Sequence, residues 1–313
     1  MSGKLSTKDL EADRPSRGGA MSLRGSGGGD LAWLAFLALG SLAIGGYFLL
    51  PTGIWQNLWY GAVGIFSVAA VLVGAQRRPA GVASWYMFAA GISVFVVGDV
   101  IRSLYEVTFD TAVPFPSVAD AFYLAGYPII AVGLGLMVRR RSSGHDRAAV
   151  LDTAIVAIGG GVLSWTFFAS PYALDASVPI FERVVSVAYP MADVLLLAVV
   201  ARLVFAPGGG VPAGYALMLA LSVLLVSDAV YANAALAGSY STGDLIDAGW
   251  LVPYLLFGFA ALHPSMMKLT QAARGGSTAF SRACVTALML TAFALPSVLL
   301  IRGIRKSTFR RLL

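Results

Sequence analysis

Long apolar runs alternate with short polar stretches along the chain, and most of the runs carry neither a polar stripe at helical period nor strand-like alternation. Nine of them have the length needed to cross a hydrocarbon core of ~30 Å. They lie near 31–50, 58–75, 84–107, 119–138, 149–169, 182–205, 213–236, 244–263 and 282–302. Barrel strands alternate lipid-facing and lumen-facing residues, so continuous runs exclude an outer-membrane barrel. The pattern predicts an all-α fold, a polytopic transmembrane helical bundle of about nine spans. The Gly/Ser-rich, charged leader 1–30 is expected to be disordered and too polar for a signal peptide. Residues 31–302 then form the membrane domain, and 303–313 a basic tail.

Composition sharpens this picture. Hydrophobic residues make up 58% of the 313 and charged residues 12%, about half the share of a soluble domain. The net charge of +6 would fit nucleic acid, but its distribution argues for a different partner, the lipid bilayer. Lys4, Lys8, Arg14, Arg17 and Arg24 precede the first run, Arg77 and Arg78 follow the second, and Arg139, Arg140, Arg141 and Arg147 follow the fourth. Arg202 borders the sixth, and Lys268, Arg274 and Arg282 surround the loop after the eighth. The intervening loops "PTGIWQN", "EVTFDTAVPFPS" and "AGSYST" have neither Lys nor Arg. By the positive-inside rule this predicts a multi-pass protein of the inner or plasma membrane with a cytoplasmic N-terminus. The tail breaks the alternation, because Arg302, Arg305, Lys306, Arg310 and Arg311 would be exported after a ninth span. Either the last run does not cross, or an earlier run is not a span, or, as favoured here, the chain stops before a tenth helix. The single cysteine, Cys284, permits no internal disulfide.

Polar residues within the apolar runs repeat. "DAFYLAGY" sets Asp120 seven residues before Tyr127, "ERVVSVAY" sets Glu182 seven before Tyr189, and "DAGWLVPY" sets Asp247 seven before Tyr254. Tyr123 and Trp250 match in kind, and Pro128 and Pro190 follow their tyrosines. Seven residues is nearly two helical turns, so acid and tyrosine share a face. In the preceding runs Asp99 of "GDVIRSLYE" corresponds to Asp228 of "SDAVYANAA", while the fifth run offers Trp165 instead. The reading is three similarly oriented helical hairpins, the middle one divergent, as in repeats about an axis along the membrane normal.

This places Asp99, Asp120, Glu182, Asp228 and Asp247 toward the outer surface with Arg102 and Arg183. Two readings of the acids stand. Asp120, Glu182 and Asp247 open their helices, where a carboxylate caps free N–H groups, and Asp99 is spaced to pair with Arg102. Alternatively, costly intramembrane acids line a pocket. The candidate ligand-binding residues are then Asp99, Arg102, Asp120, Tyr123, Tyr127, Glu182, Tyr189, Asp228, Asp247, Trp250 and Tyr254. Trp33, Trp55, Trp59, Trp85, Tyr60 and Tyr86 read as interfacial anchors. His145 and His263 have no ligand-spaced partners, and no nucleophile, zinc or phosphate-loop motif appears. No enzyme, metal or cofactor is expected.

The stretches "GDVIRSLYE…PFPSVADAFYLAGYPIIAVGLGLMVRRR", "LDTAIVAIGGGVLSW", "AYPMADVLLLAVVARL" and "SDAVYANAA…DAGWLVPYLLFGFAALHPSM" are similar to one known type of region. It is the N-terminal multi-span membrane domain of actinobacterial diguanylate cyclases and cyclic-di-GMP phosphodiesterases. The resemblance covers 31–302 and is most specific from Pro116 to Pro128. It implies a sensory or regulatory module, detecting a small ligand or pH, that works on a cytoplasmic signalling partner or as a homodimer. In that family GGDEF and often EAL domains follow, so the resemblance also implies a shortened chain or a stand-alone paralogue, without cyclic-di-GMP chemistry of its own. The rival expectations are a secondary transporter or proton-coupled carrier and a purely structural membrane protein. Acids gathered at one surface, with a midplane of Leu, Val, Ala and Gly, count against transport.

Overall fold

A chain segment in hydrocarbon has no water for its N–H and C=O groups, so apolar runs of this length satisfy them internally as helices. The computed structural model describes residues 31–77, 81–108, 113–141, 157–159, 161–162, 164–173, 176–205, 210–236 and 238–271, and every regular element among them is helical. The elements are α1 (Ala32–Tyr47), α2 (Ile54–Arg77), α3 (Val82–Thr108) and α4 (Val118–Arg141). A π-turn (Trp165–Ala169) runs into the short α5 (Ser170–Ala173), followed by α6 (Ile180–Phe205) and α7 (Pro212–Leu236). A 3₁₀ turn (Leu245–Asp247) leads into α8 (Ala248–Leu262), and α9 (Met266–Thr270) closes the described chain. The leader, the ninth run, the basic tail, Cys284, His145 and part of the fifth run lie outside the described residues.

Among the described residues, five helical segments are long and apolar enough to cross a membrane. They are Ile54–Arg77, Val82–Val107, Val118–Arg140, Pro212–Ala232 and Leu245–Leu262. The described chain is therefore all-helical and carries five candidate membrane-spanning helices. Leu42, Leu58, Ile65, Val132 and Leu219 are exposed on outward faces, an apolar surface suited to lipid.

The helices close a ring. α2 packs on α3, α3 on α4, α4 on α6, α6 on α7, α7 on α8, and α8 returns to α2, while α1 lies outside against α8 and α2. Small residues bring the backbones close, as membrane helix interfaces require. Gly74 is the tightest case: a Cβ there would stand 2.2 Å from the backbone oxygen of Ala261 on α8. Gly74→Ala is expected to destabilise the protein by about 2 kcal/mol, since neither backbone can yield cheaply; thermal unfolding in detergent measures it. At the end away from the cavity described below, the buried Ser265 accepts from the Ala213 N–H at 3.0 Å and so caps the start of α7 from another segment. His263 Nδ1 lies 2.8 Å from the same hydroxyl and also accepts from the Ser265 N–H at 3.1 Å. Ser265→Ala is expected to lower stability by about 1 kcal/mol in the same assay.

One sequence expectation changes here. Of the six anchor aromatics, Trp55, Trp59 and Tyr86 are exposed at the surface, but Trp85 is fully buried and Tyr60 turns inward. Trp85 belongs to the core, stacking edge-on against Phe88 with centroids 5.5 Å apart. Among the described residues, Arg183 Nη2 donates to the Val178 carbonyl of its own loop at 2.9 Å.

Candidate functional site

The six-helix ring encloses a cavity of about 570 Å³, with walls supplied by every helix of the ring. A smaller space of about 240 Å³ at the mouth is walled by the α3–α4 and α7–α8 loops, so the cavity opens at that end. Polar side chains enter it from α3, α4, α6, α7 and α8.

Two carboxylates dominate the interior. Asp99 lies nine residues before the end of α3, about 13 Å into the bundle at 1.5 Å per residue. Its Oδ1 accepts from Tyr123 at 3.0 Å and its Oδ2 from Tyr254 at 2.7 Å. Asp228 lies at similar depth on α7. Its Oδ1 accepts from Trp250 Nε1 at 2.8 Å and its Oδ2 from the hydroxyl of Tyr127. Each acid therefore takes one donor from its own hairpin, Tyr123 or Trp250, and one from the other hairpin, Tyr254 or Tyr127. The residues that correspond in sequence make corresponding bonds, with the hairpins α3–α4 and α7–α8 exchanging tyrosines. Gly98 makes room for one of these contacts, since a Cβ there would meet the Tyr123 ring at 2.6 Å.

The helix-start acids repeat the theme. Asp120 accepts from the Ser117 N–H at 2.7 Å, half of a capping box, while its Oδ1 accepts from Tyr189 on α6 at 2.6 Å. Asp247 accepts from the Gly243 N–H at 2.7 Å, from Tyr47 of α1 at 2.5 Å and from Tyr240 at 2.9 Å. Burial raises the Tyr240 phenol above its ordinary range, with Arg102 opposing, so it remains a donor. Capping and cavity lining thus coexist in Asp120, whereas Asp247 makes no side-chain cap at the start of α8.

Arg102 does not bond Asp99. Its Nε donates to Glu106 at 3.1 Å and its guanidinium lies 5.5 Å from the centre of the Tyr240 ring. Glu106 also accepts from Asn57 at 3.3 Å and Thr242 at 3.1 Å, tying α2, α3 and the α7–α8 loop together at the rim. No family model, curated protein or solved structure matches the chain. The reading of this site therefore rests on its geometry.

All eleven candidate residues line the cavity. The pairings differ from the sequence picture: each tyrosine of the seven-residue repeat bonds an acid on another helix rather than its own partner. Glu182 faces the cavity as well. Sequence reasoning passed over Asp193, which lines the cavity from α6, as well as Tyr47, Glu106 and Tyr240. Asp193 had a signal, being a lone carboxylate thirteen residues into a helix, about 20 Å deep. Tyr47 and Tyr240 had none, because their role depends on loops folding over Asp247.

Proposed function

We propose that the chain is a sensory or regulatory module of the inner or plasma membrane that binds a small cationic or polar ligand in its central cavity. The observation that carries this reading is the cavity of about 570 Å³ at the centre of the ring, lined by acids of which Asp99 and Asp228 each bridge two hairpins. A ligand that competes for those carboxylates changes contacts on four helices together, which gives a population shift its differential interaction. The reading includes about nine spans, an N-terminus in the cytoplasm, a cavity open to the outer side, and hairpins related by duplication. The corresponding bonds of Asp99 and Asp228 support the duplication. Consistent with the resemblance to cyclase-linked membrane regions, output would pass to a cytoplasmic signalling partner or across a homodimer.

The test is a thermal-shift screen of small cations and neutral polar molecules on the purified protein. It is followed by a chimera with a diguanylate cyclase domain fused after the last residue. Asp99→Asn combined with Asp228→Asn is expected to weaken a hit at least tenfold and abolish its effect on cyclase output. A response that survives both substitutions removes the cavity from the account.

Secondary transport is the second reading, and one observation favours it. Asp193 lines the cavity beside Asp228 at a depth where transporters place coupling groups, and Pro128, Pro190 and Pro253 interrupt the hydrogen bonding of three lining helices. Uptake of the same hit into proteoliposomes distinguishes it from sensing.

A further inference from the structure

The cavity wall has a second polar layer, one turn nearer the mouth than Asp99 and Asp228. Arg102 follows Asp99 by three residues on α3, and Tyr231 follows Asp228 by three on α7, about 4.5 Å along each helix and on the same face. The two hold corresponding places in the hairpins α3–α4 and α7–α8, and both line the cavity and the space at its mouth. Both also lie against Tyr240. The Arg102 guanidinium is 5.5 Å from the centre of that ring, and the Tyr231 ring is 4.9 Å from it between centroids. Glu106 takes the Arg102 Nε at 3.1 Å and is itself held by Asn57 and Thr242, which steadies the guanidinium.

This layer lacks an acceptor. Among the described residues, neither terminal amino group of Arg102 has a hydrogen-bond partner, and the Tyr231 hydroxyl has none either. These atoms are not enclosed: the Arg102 side chain is 28% exposed, and none of the three belongs to the buried polar atoms without partners. They open on the spaces that both residues line. A guanidinium edge with both amino groups free is shaped for a carboxylate. The layer below has the opposite character. Asp99 and Asp228 each accept one bond per oxygen, and a carboxylate has about four acceptor sites, so each keeps room for a further donor. A plain anion would meet a wall in which Arg102 is the single base among the described residues and carboxyl side chains outnumber it. A plain cation would leave the donors of the upper layer unanswered.

We infer that the cavity binds a small zwitterion, an amino acid whose carboxylate seats on Arg102 and Tyr231 and whose ammonium lies a turn deeper, at the layer of Asp99 and Asp228. This assignment rests on the ligand-binding reading of the cavity and names the class of ligand within it. The dipole of the ligand runs opposite to that of the two layers, so each end exchanges water for a charged partner. Each end also touches both hairpins, and occupancy draws α3–α4 and α7–α8 together at the mouth.

The experiment is calorimetric titration of the purified protein in lipid nanodiscs with glycine, β-alanine and γ-aminobutyric acid, against butylamine and butyrate. The tightest of the three amino acids is expected to bind at least tenfold more tightly than butylamine, which keeps only the ammonium, and than butyrate, which keeps only the carboxylate. Arg102→Gln, checked for folding by thermal unfolding, should bring that amino acid down to the level of butylamine and leave butylamine unchanged. Tyr231→Phe removes one hydroxyl and keeps the ring, so it tests the same seat without disturbing Glu106. It should weaken the amino acid about threefold, again with butylamine unchanged. Asp99→Asn should weaken the amino acid and butylamine alike. Butylamine or butyrate binding as tightly as the best amino acid overturns the inference. So does a preference for the amino acid that survives both Arg102→Gln and Tyr231→Phe. If no amino acid binds while another molecule from the screen binds in a manner that depends on Asp99 and Asp228, the zwitterion assignment falls and the ligand-binding cavity stands. If nothing from the screen binds either, both fall.

Discussion

Asp228→Ala is expected to destabilise the protein by about 3 kcal/mol or more, the largest loss from any single substitution in the cavity wall. Its carboxyl is where three helices meet: on α7 itself, it accepts from Trp250 of α8 at one oxygen and from Tyr127 of α4 at the other. Alanine leaves both donors without their partner in a region that water reaches only through the mouth. The lost bonds themselves account for a minority of the cost, since single interhelical bonds in membranes average about 0.6 kcal/mol. The larger part is the desolvation of the orphaned groups. Asp228→Asn provides the contrast, because its amide oxygen still accepts from Trp250 or Tyr127. Thermal unfolding of the three proteins in one detergent decides the matter. Equal midpoints for wild type and alanine variant would mean that these bonds do not hold the ring together.

The same residue shows how far the sequence could be read. Helix positions were legible because a hydrocarbon-spanning helix needs an apolar run of fixed length: the second, third and fourth runs became α2, α3 and α4 with ends displaced by a few residues. The equivalence of Asp99 and Asp228 was legible from what surrounds each. Their partners were not. Spacing along a helix says which residues share a face, so Asp120 and Tyr127 were placed together, and they do share the cavity. It cannot say that Tyr127 bonds Asp228, 101 positions away, because that depends on how the ring closes. Arg102 failed for a related reason. Both Asp99 and Glu106 lie within a turn of it, and the tertiary donors Tyr123 and Tyr254 already occupy Asp99.

Tyr127→Phe and Tyr254→Phe are expected to behave as equivalents, each costing about 1–2 kcal/mol and together less than the sum of the two. Each substitution removes a single hydroxyl and keeps the ring, so packing against Phe95 by Tyr127 and against Tyr60 by Tyr254 is retained. What is lost is the one bond that each hairpin sends to the acid of the other, while Tyr123 and Trp250 still serve those acids from within their own hairpins. The substitutions therefore weaken the joint between hairpins and spare the hairpins themselves. If the two exchanges brace one interface, losing the first makes the second less effective, and the double-mutant cycle will show a coupling energy outside additivity. Additive losses would describe two unrelated bonds that happen to correspond. A Tyr123→Phe control separates the cases further, because it breaks a bond inside one hairpin and should not couple to Tyr127→Phe. Coupling confined to the exchanged tyrosines would identify the joint between α3–α4 and α7–α8 as the bistable element on which a ligand at Asp99 or Asp228 acts.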